Sequence, residues 1–320
     1  MFYNTVKKIY QGKVFPRADE TGAIFYYSPE DFPGLQRRAY PLRSSKGHPL
    51  SGYLYFRDGY RTDRLVVFDH GIGSGHRGYL KEINLLTEHG FRVFAYDHTG
   101  CMESGGETTG GLCHSLVDLD DVLTALKRDE EFRSLDLSVM GHSWGAFATL
   151  NIAAFHPEIS HLVANSGFRS FAAMTRQSFG GLLKKTGERI YREEAALNPK
   201  YSGADAVETL KNTTAKALIL HSTDDPIVSY KAHFAAMREA LSACENVTFY
   251  SVDGKRHNPN YTRDAVIYKD AFFKTYQKAL KKGELTTEAE RAAFKNSFDW
   301  ERMTAQDETV WKVIFDFLDK

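Results

Sequence analysis

The pentapeptide Gly141-His-Ser-Trp-Gly145 sets one serine between two glycines. A serine hydroxyl is a poor nucleophile at neutral pH, so it performs acyl transfer only when a histidine takes its proton and a carboxylate orients that histidine. The apolar segment 135–140 before the pentapeptide predicts a strand, and the segment 146–154 after it predicts a helix. Glycines allow the strained turn of such a junction, a nucleophile elbow that exposes its central side chain. Ser143 is therefore the candidate nucleophile.

A candidate acid and a candidate base follow the serine in the chain. The segment 221–228 reads His-Ser-Thr-Asp-Asp-Pro-Ile-Val and follows a predicted strand, so Asp224 and Asp225 lie at the carboxyl edge of a parallel sheet, where such sheets bind ligands. Asp225, directly before Pro226, is the preferred acid, and Asp224 competes with it. The next predicted strand runs into a loop that contains His257, the candidate general base.

The elements that must position these residues alternate between strands and helices. The first two predicted strands flank the turn-rich link Ser44-Ser-Lys-Gly-His-Pro49 and should pair as an antiparallel hairpin. Most of the others are separated by segments of helix length, which requires right-handed crossovers and a mostly parallel sheet with helices on both faces. The eight predicted strands are 37–43, 50–57, 64–68, 91–96, 135–140, 161–165, 215–220 and 247–252.

Segment lengths divide the chain into parts. Residues 1–36 precede the first strand as an N-terminal extension, and residues 37–167 and 215–320 form the core. Residues 168–214 are too long for a simple crossover and contain glycine and proline breakers, which indicates a small helical cap over the pocket. Within the core, apolar residues at helical spacing indicate a helical insertion at about 263–298.

The charge balance bears on the partners of the protein. Among 320 residues, 41 are Lys or Arg and 41 are Asp or Glu, so the formal net charge is zero. No long run of one sign indicates nucleic acid or an anionic membrane as a partner, and a small-molecule substrate fits better. The histidines are scattered and no Cys-x-x-Cys pair occurs, so we expect neither a metal nor another cofactor.

The cysteines and the hydropathy pattern bear on the compartment. Cys101, Cys113 and Cys244 form no paired framework, which favours a reducing compartment in which the thiols stay free. The first residues lack a basic stretch, an apolar core and a cleavage site, so they do not resemble a secretory signal. No window approaches the ~18 continuous apolar residues that a membrane span needs. We therefore expect a cytoplasmic protein.

The motifs resemble the α/β-hydrolase family over most of the chain, from about residue 37 to residue 320. That family carries its serine, acid and histidine in the same chain order. Its acid lies in a D-x-x-V pattern that Asp225-Pro-Ile-Val228 matches, and its histidine commonly follows a glycine, as in Gly254-Lys-Arg-His257. The resemblance implies the α/β-hydrolase fold, with an eight-stranded, mostly parallel sheet and a helical cap insertion.

A further match is His70-Gly71, where the family places the loop that supplies one amide of its oxyanion hole. The resemblance implies that this donor is the backbone N–H of Ile72 and that the second is the N–H of Trp144, the residue after the nucleophile. The loop reads His-Gly-Ile-Gly where many lipases and esterases have His-Gly-Gly-Gly, so it departs from that subfamily. His70 and His142 are expected to orient their loops through hydrogen bonds.

A competing interpretation rests on Gly73-Ser-Gly75-His-Arg-Gly78, a G-x-G-x-x-G run after a predicted strand. Its glycines would hold a pyrophosphate, and Asp97 at the end of the next strand would bind a ribose hydroxyl, as in a dinucleotide-dependent oxidoreductase. That interpretation explains neither Ser143 nor His257. A third class is a catalytically silent hydrolase-like binding protein, which usually lacks one member of the triad.

Taken together, the residues predict a serine hydrolase that forms an acyl-enzyme with a small-molecule acyl substrate. Ester hydrolysis is the first expectation, because an ester demands least of its leaving group. A peptidase related to prolyl oligopeptidases and an acyl-thioesterase are the alternatives, since the spacing of the residues does not separate the three reactions.

Overall fold

The computed structural model describes residues 10–18, 27–179 and 181–320. Its strands are β1 (Gln36–Arg43), β2 (Pro49–Phe56), β3 (Arg64–Asp69), β4 (Arg92–Tyr96), β5 (Asp136–His142), β6 (His161–Asn165), β7 (Lys216–Ser222) and β8 (Val247–Val252). They form one eight-stranded sheet in the order β1-β2-β4-β3-β5-β6-β7-β8. The pairs β1–β2 and β2–β4 are antiparallel, and all later pairs are parallel. The sheet is thus mostly parallel, as predicted.

Helices return the chain between the parallel strands, because parallel pairing requires a crossover. In the described residues they are α1 (Leu80–Glu88), α2 (His114–Arg128), α3 (Trp144–Ile152), α4 (Phe171–Ser178), α5 (Lys184–Leu197), α6 (Ala206–Lys211), α7 (Ala236–Ala240), α8 (Arg263–Lys281), α9 (Glu288–Asn296), α10 (Trp300–Met303) and α11 (Glu308–Leu318). The segment between β6 and β7 contains α4, α5 and α6, and α8 and α9 follow β8.

Alternate residues of the central strands face opposite sides of the sheet. Leu65 and Val67 of β3 belong to an apolar cluster that includes residues of α2 and α3. Val66 and Phe68 belong to a second cluster, which includes residues of α1 and α11. Both faces of the sheet are therefore covered by helices, and the central strands read as nearly continuous apolar runs in the sequence.

Three strands end later than the sequence predicted, β3 by one residue and β5 and β7 by two. β5 runs to His142 and β7 runs to Ser222. The parallel ladders continue there, because His142 pairs with Asn165 and Ser222 pairs with Val252. The added residues are mainly polar, so the apolar pattern stops before the backbone pairing does. The extensions of β5 and β7 bring polar side chains to the carboxyl edge of the sheet.

Part of the N-terminal extension predicted at residues 1–36 lies outside the described residues, namely 1–9 and 19–26. In its described part, Pro16 pairs with Thr108 and Ala18 pairs with Cys101. These bridges attach the extension to the loop after β4. Within the described ranges, no helix combines the length and the apolar character that crossing a membrane requires.

Candidate active site

Ser143 stands at the junction of β5 and α3. Its backbone adopts φ 56° and ψ −110°, an unusual conformation that costs on the order of 1–3 kcal/mol and persists only where the surroundings enforce it. A Cβ at Gly145 would overlap the carbonyl oxygen of Asp69 at the end of β3, and a Cβ at Gly141 would overlap the hydroxyl of Thr149. The close packing of α3 against β3 therefore requires Gly145, and the close packing of α3 against β5 requires Gly141.

A line of hydrogen bonds joins Ser143, His257 and Asp225. Ser143 Oγ lies 2.8 Å from His257 Nε2, and His257 Nδ1 lies 2.7 Å from Asp225 Oδ2. An ionised carboxylate accepts from Nδ1–H, so Nε2 keeps its lone pair and accepts from the serine hydroxyl. The chain segments that follow β5, β7 and β8 bring the three side chains together at the carboxyl edge of the sheet.

The Asp225 carboxylate is held in its ionised form. Its Oδ1 accepts the backbone N–H groups of Ile227 at 2.8 Å and Val228 at 3.0 Å, and its Oδ2 lies 3.3 Å from His221 Nε2. Burial opposes ionisation, but the hydrogen bonds from His221 and His257 outweigh it and hold the pKa of Asp225 below its usual range. A negative charge therefore faces His257 at neutral pH.

Asp224 makes different contacts. Its Oδ1 accepts from the Ser222 hydroxyl at 2.5 Å and from the N–H of Arg256 at 3.0 Å. These bonds fasten the loop that carries His257 to the end of β7. Of the two acids that compete in the sequence, the structure brings Asp225 to the histidine, and it gives Asp224 a part in holding the loop.

The loop after β3 carries the N–H of Ile72. His70 Nδ1–H donates to the Gly71 carbonyl at 2.8 Å, and in a trans peptide the N–H points away from the carbonyl, so this bond fixes the direction of the Ile72 N–H. Burial lowers the pKa of His70 to about 3, which keeps its ring neutral. The N–H of Trp144, the first residue of α3, has no partner inside the helix. Neither amide donates to an acceptor within the described ranges.

A second chain of hydrogen bonds links this loop to the pentapeptide and to the histidine loop. The N–H of Gly71 donates to Tyr79 Oη at 3.1 Å, and Tyr79 Oη lies 2.8 Å from His142 Nδ1. His142 Nε2–H donates to the carbonyl of His257 at 2.8 Å. Burial lowers the pKa of His142 to about 3, so its ring stays neutral with one donor and one acceptor. His70 and His142 were both expected to orient loops. Each forms a hydrogen bond with a loop carbonyl, His70 with that of Gly71 and His142 with that of His257.

The glycine run at 73–78 forms a tight turn around a buried carboxylate. Asp97 Oδ1 accepts the N–H of His76 at 2.8 Å and also lies 2.8 Å from His76 Nδ1. The Asp97 side chain is buried, and a Cβ at Gly75 would overlap its Oδ1. A ribose hydroxyl would have to displace His76 to reach this carboxylate. The geometry thus contradicts the dinucleotide interpretation, which required an accessible Asp97.

The helix α4 lies against the loop that carries Asp225. Gln177 Nε2 donates to the carbonyl of Ile227 at 2.8 Å, and Gln177 Oε1 accepts the N–H of Ser229 at 2.9 Å. The side chain of Ile227 is 53% exposed beside this contact. One side of the segment 168–214 is therefore fixed next to the acid.

The helix α5 is linked to the turn at Ser143 through one buried carboxylate. Glu194 accepts the N–H groups of Leu112 at 2.9 Å and Cys113 at 2.8 Å, and it also binds the hydroxyl of Tyr10. The carbonyl of Leu112 in turn accepts Nε1–H of Trp144 at 2.5 Å. The segment 168–214 is thus connected to both the loop that carries Asp225 and the turn at Ser143.

Sequence reasoning missed several buried groups near the site. Asp118 lies among apolar residues on the buried face of α2, and an acidic residue at a core position is a signal that the sequence offers. Glu194 on α5 is equally buried, although the two residues before it, Arg192 and Glu193, are charged. Tyr79 and His98 carry no such signal, because they lie outside any periodic pattern. Their roles became visible only from their contacts.

The fold and the junction at Ser143 define a class of protein. Residues 60–192 match the hydrolase family described as serine aminopeptidase, S33. Together with the order and direction of the strands, this match identifies the fold of the chain as the α/β-hydrolase fold.

Individual relatives are similar to parts of this chain. Protein YqkD of Bacillus subtilis, described as uncharacterized, is 27% identical over 151 residues, which cover 47% of this chain and about half, 48%, of that protein. The esterase Pf2001 of Pyrococcus furiosus superposes with a TM-score of 0.57 at 20% identity, covering 80% of this chain and 95% of the esterase. A puromycin-hydrolyzing peptidase of Mycobacterium tuberculosis superposes with a TM-score of 0.54 at 18% identity, covering 74% of this chain and 37% of the peptidase. At these identities the two structures share the fold.

Proposed function

We propose that the protein is a serine hydrolase that cleaves carboxylic esters of small molecules. In this proposal Ser143 is the nucleophile, His257 is the general base and acid, and Asp225 orients His257. The backbone N–H groups of Ile72 and Trp144 bind the oxyanion. The observation that carries the proposal is the line of hydrogen bonds of 2.8 and 2.7 Å that starts at a serine on a strained turn from strand to helix.

The reaction proceeds in two halves. In the first, Ser143 Oγ attacks the acyl carbon while His257 Nε2 takes the hydroxyl proton, and the carbonyl electrons move onto the oxygen. Each amide that binds this oxyanion contributes about 3 kcal/mol to the transition state. The intermediate then expels the alcohol, which receives its proton from His257. In the second half, water gives its proton to His257 and attacks the acyl carbon. The bond between the acyl carbon and Ser143 Oγ then breaks, Ser143 Oγ takes the proton from His257, and the carboxylic acid leaves.

Exposed apolar side chains favour an apolar acyl or alcohol group in the substrate. Ile72, on the loop after β3, is 45% exposed, and Ile227, two residues after Asp225, is 53% exposed. Apolar surface around a few convergent polar groups is the usual composition of a small-molecule site.

Two further assignments belong to the proposal. The contacts of α4 and α5 with the acid loop and the elbow support a cap formed by residues 168–214, over a core of residues 37–167 and 215–320. The free thiols of Cys101, Cys113 and Cys244 support a reducing, cytoplasmic environment.

A fluorophosphonate probe tests the nucleophile. We expect the probe to label the folded protein on Ser143, located by mass spectrometry, and we expect Ser143→Ala to lose both the label and the hydrolysis of p-nitrophenyl butyrate. Ser242→Ala is the control, because Ser242 is an exposed serine away from the elbow. Full activity of Ser143→Ala would disprove the assignment. A folded wild-type protein with neither label nor hydrolysis would favour the silent binding protein.

A peptidase is the second candidate, because the matching family is described as serine aminopeptidase. Amide cleavage requires His257 to protonate an amine, which is a poorer leaving group than an alcohol. One preparation can be compared on p-nitrophenyl esters, aminoacyl p-nitroanilides and acyl thioesters. We expect the highest kcat/KM on the esters, and a higher value on the anilides or the thioesters would reassign the reaction.

A further inference from the structure

His98 lies between two carboxylates beneath the site. Just after β4, its Nε2 contacts Oδ1 of Asp69, and its Nδ1 lies 3.3 Å from Oδ2 of Asp118 on α2. All three side chains are 0% exposed. Both ring nitrogens face carboxylate oxygens, so both donate and the ring is an imidazolium. We call Asp69, His98 and Asp118 the buried ion group.

The buried ion group reaches the first proposed oxyanion amide through His70. The backbone N–H of His98 donates to His70 Nε2 at 3.0 Å. The same ring donates from Nδ1 to the carbonyl of Gly71 at 2.8 Å, and that peptide carries the N–H of Ile72. The rings of His98 and His70 also pack edge to face, with 4.5 Å between their centroids. One rigid ring therefore separates His98 from the Ile72 peptide.

The buried ion group reaches the second proposed amide through an aromatic contact. The ring of His98 packs against the indole of Trp144 with 4.7 Å between centroids and an interplanar angle of 52°. A cation beside an aromatic ring is attracted by the negative charge of the ring face. The indole is also fixed by its hydrogen bond to the Leu112 carbonyl at 2.5 Å. The same cation thus contacts both proposed oxyanion segments.

We propose that His98 is a positioning residue, which holds the amides of Ile72 and Trp144 at the separation that an oxyanion requires. It contacts no substrate and moves no proton in the mechanism above. The inference rests on the proposed function, because it concerns the same oxyanion hole. Misplacement of catalytic groups by about 1 Å can lower a rate about 10²-fold. Loss of the buried cation should therefore affect the transition state more than the binding of substrate.

His98→Gln tests the inference, since glutamine keeps polar atoms and similar bulk but carries no charge. The matched control is His156→Gln, because His156 also lies between two carboxylates, Asp120 at 2.7 Å and Glu158 at 3.0 Å, but stands just after α3. On p-nitrophenyl butyrate we expect His98→Gln to lower kcat at least tenfold with KM within twofold. We expect His156→Gln to leave both constants within twofold.

A second measurement does not depend on activity. In ¹⁵N-labelled protein, the amide signals of Ile72 and Trp144 should shift in His98→Gln and stay in place in His156→Gln. If His98→Gln does not fold, Asp118→Asn removes one counter-charge of the same group and should give the same pattern. Unchanged kcat together with unchanged amide signals would overturn the inference. A wild-type protein without label or hydrolysis would overturn the proposed function, and the amide signals would still decide whether His98 positions the two segments.

Discussion

At the scale of single residues, the site depends on which of two adjacent acids meets the histidine. Asp225 lies 2.7 Å from His257 Nδ1, whereas Asp224 binds Ser222 and the N–H of Arg256. The sequence narrowed the choice to these two residues through their place after a strand. The turn decided between them, because neighbouring side chains in a turn point in different directions.

Asp225→Asn should lower kcat for ester hydrolysis by about 10⁴-fold, the size of effect observed when a triad acid becomes an amide. The amide cannot hold His257 with its proton on Nδ1. Asp224→Asn is the paired variant, and it should keep kcat within about tenfold, since its contacts hold a loop. Steady-state kinetics at neutral pH measure both. Equal losses in the two variants would contradict the assignment of the acid.

His98 should make stability depend on pH on the alkaline side. Burial opposes its protonation, but Asp69 and Asp118 outweigh burial and raise the pKa of His98 to about 9. Two other titratable groups face the ring and stay neutral in this range, because burial raises the pKa of Tyr96 and lowers the pKa of His70. An unfolded histidine titrates near ~6.5. The folded pKa is the higher one, so the stabilisation is complete below ~6.5 and is lost as the pH rises through about 9.

Urea unfolding at a series of pH values measures this dependence. Between about pH 6.5 and pH 9.5, the free energy of unfolding should fall more steeply for the wild type than for His98→Gln, because only the wild type releases the His98 proton on unfolding in that window. Parallel curves for the two proteins would show that His98 is not charged in the folded state.

At the scale of elements, the site depends on the close approach of β3 to α3. A Cβ at Gly145 would overlap the Asp69 carbonyl, so α3 has to retreat when a side chain is added. Gly145→Ala should therefore destabilise the fold by about 1–3 kcal/mol or more and lower kcat, because the Trp144 amide moves with the helix. Urea unfolding and steady-state kinetics measure the two effects.

Gly203→Ala is the control for this prediction. No atom lies within 4 Å of a Cβ built there, so the added methyl group meets open space. We expect its stability to stay within about 1 kcal/mol of the wild type, or to rise slightly as the unfolded chain loses freedom. Similar stabilities for the two variants would show that β3 and α3 tolerate a wider separation.

The elements themselves were largely predictable. Every predicted strand exists, because apolar runs and turn residues are local properties of the chain. The late ends of β5 and β7 were not predictable, since His142 and Ser222 are polar residues whose strand pairing depends on β6 and β8. The glycine run at 73–78 also has the pattern of a dinucleotide-binding loop in the sequence. The burial of Asp97 in the structure contradicts that interpretation.

At the scale of the whole molecule, the cysteines report on folding. Cys101 and Cys113 are buried, Cys244 is partly exposed, and all three are free. Burial also raises the pKa of the Cys101 and Cys113 thiols well above the usual range, which suppresses the reactive thiolate. Ellman's reagent should therefore modify Cys244 alone in the native protein and all three thiols in guanidinium chloride. Rapid reaction of a second thiol without denaturant would contradict this packing.

The sequence by itself determined the alternating strands and helices, the strand-to-helix turn at Ser143, and the order of serine, acid and histidine. Each of these features depends on the spacing and composition of residues within a short segment of the chain. The tertiary structure decided that Asp225 rather than Asp224 meets His257, and that Asp69 and Asp118 enclose His98. The contacts of His98 join β3, the end of β4 and α2, and the contact of Asp225 with His257 joins the ends of β7 and β8. They form only when the sheet assembles, because assembly brings polar groups that are distant in sequence into a dry interior. A buried polar group without a hydrogen-bond partner there is costly.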